Sequence, residues 1–302
     1  MGGGLIFNPD LRAVCNYAWR FLTAGPPPMN FPKPNLNKAW GQFRFLGALG
    51  AAAIGGLASL ANIFGLFYRL LTLGLVGMTR YRLIRREFAR QIYLIGGRGW
   101  PIVALTGMLL GLAIIVYASA QLAKIGGEQF VGNLLVIIVI RELGPVLTAL
   151  LVLLRSGAAM IVEIGAMVLD REIEALELMG LEPEIVIGGP RFWGLVISLI
   201  TLYFIFVVCA IWGGFLFSQI FADMYWGVFW LSFVNALGWP DLVLNFAKVV
   251  LFGMFIGVVA IYHGLQTADH WESIVAQTSR GAVISLLFLG LINTALSVLY
   301  NV

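Results

Sequence analysis

The chain has 302 residues, of which 60% are hydrophobic and 11% charged, and a mean hydropathy of +0.93. A soluble domain carries about a quarter charged residues, so water is not the solvent for most of this chain. The formal net charge of +4 comes from arginines beside apolar segments rather than from a soluble basic face, which argues against a nucleic-acid partner, and the two cysteines, Cys15 and Cys209, lie too far apart in character and position for a disulfide framework.

Residues 1–44 are punctuated by Pro26, Pro27, Pro28, Pro32 and Pro34 and read as a cytoplasmic tail with a short docking helix around Leu11 to Leu22. No cleavable leader is expected, because the opening residues lack a basic stretch followed by a sustained apolar one. Residues 45–98 read as an elbow helix followed by a basic cytoplasmic segment. The apolar part, Phe45 to Met78, has basic residues on both flanks (Arg12, Arg20, Lys33, Lys38 and Arg44 before it; Arg80, Arg82, Arg85, Arg86, Arg90 and Arg98 after it). The positive-inside rule then puts both ends on one side, so an interfacial or re-entrant helix is preferred to a crossing.

Residues 99–302 read as a five-span domain, with apolar runs at about 101–122, 130–154, 192–220, 241–265 and 281–300. Odd spans run outward. The loops holding Arg155, Arg171 and Arg191, and Arg280, then fall in the cytoplasm, and the loop at 221–240, with Asp223 and no Lys or Arg, falls outside. Trp226, Trp230 and Trp239 suit an aromatic belt there, on a short surface helix. Gly107 with Gly111, and Gly253 with Gly257, suit close helix approach.

Within the second span, Arg141-Glu142-Leu143-Gly144-Pro145 places ionisable groups where they cost roughly 2.5–3.5 kcal/mol each on insertion scales. Pro145 cannot donate to the Arg141 carbonyl, so a kink is expected. Neighbouring residues on a helix diverge, so Arg141 and Glu142 each need a partner elsewhere: another helix, another subunit or a ligand. The bland reading is a packing ion pair; the functional one is a substrate pathway. A second feature, the segment 163–183, puts Asp170, Glu174 and Glu177 on one helical face with Ile173, Leu176 and Leu178 to Met179 on the others, and ends at Gly180 and Pro183. It reads as a docking helix or as a solvated loop helix. His263 and His270 lack ligand spacing, and no metal site is expected. No GxxxxGK[ST] phosphate loop occurs, so ATP would have to be hydrolysed by another polypeptide.

The string from Arg141 to Trp193 closely resembles the MlaE/YrbE-type permeases, membrane subunits of ABC lipid transporters that work with MCE proteins, and the resemblance runs from about residue 45 to 300. It implies an all-α integral membrane protein with an interfacial helix, five spans and a cytoplasmic coupling helix between the second and third. Implied partners are a dimer of cytoplasmic ABC ATPases holding ATP-Mg, an outer-facing MCE hexamer, a second permease copy or a sister subunit, and a phospholipid or related lipid. The implied location is a bacterial or plastid-type inner membrane. The chain itself is then not an enzyme and carries no cofactor. By position, Arg141, Glu142, Gly144 and Pro145 match the family's intramembrane charged motif. Arg155, Gly157, Glu163, Pro190 and Arg191 match supporting elements. Glu174, Leu176, Met179, Gly180 and Pro183 match the coupling signature, with Asp170, Arg171, Glu172 and Glu177 beside them. Departures are Asp170-Arg171-Glu172 in place of Thr-Glu-Gln, Leu154 in place of a Gly, and Leu291-Ile292-Asn293 where an acidic residue is expected. Alternatives of another class are a stand-alone ion-coupled carrier and a non-transporting scaffold.

Overall fold

A computed structural model describes residues 62–72, 82–122, 124, 131–221, 226–268 and 270–301. The chain divides into two units, Met1–Gly65 and Leu66–Val302. Of the first, only residues 62–65 are described, as the opening turn of a helix, α1, that runs 62–72. The tail, its expected helix near Leu11 to Leu22, and the rest of the elbow stretch lie outside the described residues.

The described residues form helices and no strand. After α1 come α2 (Arg82–Ile92, Tyr93–Gly97 and Arg98–Leu122, continuous), α3 (Val131–Leu135 through Ala158–Leu169), α4 (Glu172–Leu178), α5 (Glu184–Gly188 and Gly189–Phe221), α6 (Trp226–Ala236), α7 (Trp239–Leu265) and α8 (Trp271–Asn301). Five of them, α2, α3, α5, α7 and α8, carry apolar stretches of 27 to 39 residues. About 20 residues suffice to cross a bilayer core of roughly 30 Å, so several project beyond it.

That projection corrects three expectations. The basic segment before residue 99 is not a separate connection but the first turns of α2, so the helix begins well before the apolar run expected at about 101–122. Arg155 and Arg191, expected in a loop, lie within α3 and α5. Charge alone had marked the loop, but long side chains near helix ends reach the interface without breaking the helix.

α5 is the central element, packed against α2 and α7, and α7 in turn packs against α3 and α8. Glycine sets the closest approach. A Cβ on Gly107 would stand 2.6 Å from the Phe206 carbonyl oxygen, and one on Gly257 would stand 2.9 Å from the Phe192 ring. The small-residue pairs therefore lie at helix crossings, as expected. By contrast, only 11% of the most apolar stretch of α8 and 28% of that of α2 are buried within the chain, leaving their outer faces for lipid or protein. Of the tryptophans expected at this surface, Trp230 within α6 and Trp239 at the start of α7 are both exposed.

Between α3 and α5, the acidic segment is shorter than the expected 163–183. Glu163 belongs to α3, and the separate helix is the seven-residue α4. Asp170 does not share a face with Glu174 and Glu177, because Arg171 between them adopts φ 58°, ψ 21°, the left-handed region, and breaks the helix. α4 stops as expected at Gly180, where φ is +74°. The Leu181 N–H donates to the Leu176 carbonyl (3.0 Å) and the Gly180 N–H to that of Glu177 (2.9 Å), the paired bonds of a Schellman end.

Candidate functional site

α3 bends at its charged motif. Residues Val136–Leu143 are π-helical, and the Gly144 N–H reaches back five residues to the Val139 carbonyl instead of four to Ile140. Pro145 has no N–H to give, so neither the Ile140 nor the Arg141 carbonyl receives its bond from this turn. Other helices supply both. The Tyr203 hydroxyl of α5 donates to Ile140 O at 3.3 Å, and Lys248 Nζ of α7 donates to Arg141 O at 3.0 Å. Gly144 makes room for the first, since a Cβ there would collide with the Val139 carbonyl and stand 3.3 Å from the Tyr203 ring. The whole Gly144-Pro145 element is buried.

Lys248 is fully buried in the middle of an apolar helix. Its ammonium donates to Arg141 O and to Ser297 Oγ at 2.8 Å and forms an ion pair with Glu142 Oε1 at 3.7 Å. Glu142 also accepts from Ser297 Oγ and, at 3.2 Å, from Asn293 Nδ2. A carboxylate at position 293 would set acceptor against acceptor across this contact, whereas the amide supplies a donor. The departure at 293 thus has a physical reason.

Arg141 turns the other way. Its Nη2 donates to Asp241 Oδ2 at 2.8 Å, and its guanidinium carbon sits 5.4 Å from the Tyr300 ring centroid. Asp241 is buried near the start of α7, where it also accepts from the Gly238 N–H (3.1 Å) and the Tyr300 hydroxyl (2.6 Å). The adjacent charges therefore do find separate partners on other helices. The result is a neutral network of two cations and two anions in two tiers, Arg141–Asp241–Tyr300 and Glu142–Lys248–Asn293–Ser297. Arg141 lies within the 38-residue apolar stretch of α3, about 14 Å along the helix axis from Gly132. The network is not sealed. The side chains of Arg141 and Glu142 are 27% and 41% accessible, and among the described residues Arg141 Nε has no hydrogen-bond partner.

Asp241, Lys248, Tyr203, Ser297 and Tyr300 did not stand out in the sequence reading. Lys248 carried the same signal as Arg141, an ionisable residue inside an apolar run. The other four are polar residues near span ends or of common type, and only the fold brings them together.

The supporting residues group at the other end of α3. Arg191 Nη2 pairs with Glu163 at 3.5 Å, next to the buried Pro190. Gly157 admits Ile256 of α7, whose Cγ2 would be 3.2 Å from an added Cβ. Arg155 is exposed on a π turn and lies across Gly99 of α2. On α4 no residue is buried; Glu172, Glu174 and Glu177 are exposed, with Leu178 89% and Met179 65% accessible at its tip. Beyond it, Arg69 of α1 bridges Glu182 (3.0 Å) and Glu184 (2.8 Å), which flank the buried Pro183.

A five-span helical membrane protein with a charged network at a broken span and a bare acidic helix between two spans is the class that fold and site define. Residues 88–299 match the family described as Permease MlaE, and the chain belongs to that family. It is 33% identical over 213 residues to the intermembrane phospholipid transport system permease protein MlaE of Haemophilus influenzae, covering 69% of this chain and 82% of that protein. It is also 27% identical over 218 residues to a probable ABC transporter permease protein of Synechocystis sp., covering 72% and 82%. A probable ABC transporter permease protein of Pyropia yezoensis is 25% identical over 223 residues, covering 74% and 83%.

Proposed function

We propose that this chain is the permease subunit of an ABC transporter that moves phospholipid or a related lipid between an inner membrane and an outer-facing MCE protein, driven by a separate ATPase dimer. The observation that carries the proposal is the half-open charged network at the bend of α3, in a chain of the Permease MlaE family. A headgroup phosphate is recognised by guanidinium donors, and the unpartnered Nε makes Arg141 the group to receive it, with Asp241 as its resting counter-ion. The open faces of α2 and α8 suit a second permease copy or a sister subunit enclosing the lipid between them.

α4 is the natural seat for the ATPase: three exposed glutamates carry charge and Leu178 with Met179 supplies an apolar knob. Motion there would pass along α3 to the bend and, through Glu182 and Glu184, to Arg69 of α1. In this reading ATP-Mg resides on the partner, and the chain acts as a non-catalytic, multi-pass inner-membrane component with a cytoplasmic N-terminus.

The test is reconstitution of the purified complex in vesicles. Lipid transfer should depend on ATP and stop with vanadate, a soluble ATPase should co-elute, and Arg141→Ala or Glu142→Ala should abolish transfer while leaving assembly intact. Full transfer by both variants would remove the pathway role. An ion-coupled carrier could use the same network, but it needs no ATPase, and vanadate-insensitive transfer would favour it.

A further inference from the structure

Far from the charged bend, at the Arg82 end of α2, a cleft of about 730 Å³ lies between α2, the end of α3 and the start of α5. Its lining combines Arg86, Arg90 and Arg191 with a single carboxylate, Glu87, and with the apolar Ile84, Met167 and Ile187. Arg86 and Arg90 stand four residues apart on α2, so they share a face. Arg191 closes the cleft from α5. Its side chain is only 9% accessible, yet Nε and Nη1 have no hydrogen-bond partner among the described residues. Three of its five N–H donors are thus unused. The remaining nitrogen, Nη2, has a 3.5 Å ion pair to Glu163 and a weak 3.6 Å contact to Met167 Sδ.

A buried guanidinium with most of its donors unpaired is costly unless an acceptor completes it. Glu163 cannot do so, since it faces one nitrogen and is 52% accessible. Glu163, Glu87 and Glu172 all act on Arg191, and Glu87 already pairs with Arg90 at 3.4 Å, so it is the unused donors of Arg191, not a surplus of charge, that call for an acceptor. We infer that this cleft binds the phosphate of an anionic lipid headgroup, with Arg191 at its floor and Arg86 and Arg90 at its rim. Phosphate is the ligand chemistry that three convergent guanidiniums recognise best. The apolar part of the lining and the cleft's size favour a lipid over free inorganic phosphate, and basic pockets between spans are a known form of lipid-headgroup site. The site is separate from the transport pathway proposed above and rests on that reading only for the leaflet, the cytoplasmic one, that it faces.

The test uses the full chain with whatever subunits co-purify, placed in phosphatidylcholine nanodiscs with and without phosphatidylglycerol. Native mass spectrometry counts the retained anionic lipid. Arg191→Met, which keeps the side-chain bulk, and the exposed pair Arg86→Gln/Arg90→Gln should each weaken retention about tenfold, as expected for loss of charge-assisted hydrogen bonds. Arg85→Gln, a neighbouring charge outside the lining, should leave it unchanged. Titration with inorganic phosphate separates the sources: weak or absent binding assigns the lipid, whereas competition by phosphate alone overturns the lipid assignment. Equal retention by all variants, or an equal loss in Arg85→Gln, overturns the site. Retention needs no ATP, so failure of vanadate-sensitive transfer with retention intact sinks the transporter reading alone.

Discussion

The bend of α3 and the tip of α4 each gather charged side chains, and they treat charge in opposite ways. At the bend, Lys248 and Asp241 are buried and find named partners on other helices, as do the carbonyls that Pro145 and the π turn leave open, while Arg141 Nε is a donor left without one. At the tip, Glu172, Glu174 and Glu177 have no buried neighbour on their own helix, and the apolar Leu178 and Met179 point into open space. Buried charges with partners on neighbouring helices fix one arrangement of α3, α7 and α8; exposed charges beside exposed apolar groups leave binding energy to be collected from another protein. The bend lies in α3, and α4 follows that helix directly across the left-handed Arg171.

If the bend is a satisfied network, removing one member should cost far more than the charge itself is worth. Lys248→Met strips Arg141 O and Ser297 Oγ of a donor and Glu142 of its counter-ion, and breaking a buried pair by removing one partner costs about 3–5 kcal/mol. The melting temperature of the purified protein in detergent should fall steeply. Adding Glu142→Gln to that variant should recover part of the loss, because the stranded carboxylate is then neutral; no recovery would mean the two side chains are not coupled. Gly144→Ala comes next. Its Cβ meets the Val139 carbonyl, a backbone atom that cannot swing away, and overpacking of this kind costs about 1–3 kcal/mol in the same melting assay. Tyr203→Phe removes only the donor to Ile140 O, a bond of 3.3 Å, and should cost about 0.5–1.5 kcal/mol.

These residues also show what a sequence can and cannot announce. Arg141, Glu142 and Pro145 were visible because each breaks a rule of its apolar surroundings, and the break itself is the signal. Their partners sit about a hundred residues or more away, at 241, 248, 293 and 297, and nothing in local pattern ties one polar residue to another at that distance. The π turns were invisible for a different reason: a shift from four to five residues in the hydrogen-bond ladder needs no change in composition, and only the orphaned carbonyls betray it. The left-handed Arg171 was hidden likewise, since that conformation is expected of Gly or Asn. The fold class, five spans and a helix between the second and third needed only length and hydropathy. The extent of each helix needed the structure, because arginines near span ends mimic loops.

At the tip, the comparison predicts small effects on stability and large ones on association. Leu178→Asp removes a side chain that is 89% accessible, so melting should shift by no more than about 0.5 kcal/mol equivalent. Arg171→Gly should be neutral or slightly stabilising, up to about 1 kcal/mol, because glycine adopts φ 58° without the crowding that an arginine Cβ suffers there. The pair is informative because both substitutions are benign to the isolated chain but only one alters the knob. If α4 seats a partner through its tip, Leu178→Asp should abolish co-purification of the ATPase and Arg171→Gly should preserve it. If instead the helix is merely solvated, both variants should retain the partner equally. In that case the coupling surface must lie elsewhere on the chain, because a like charge set beside three glutamates could not be indifferent to a docked groove.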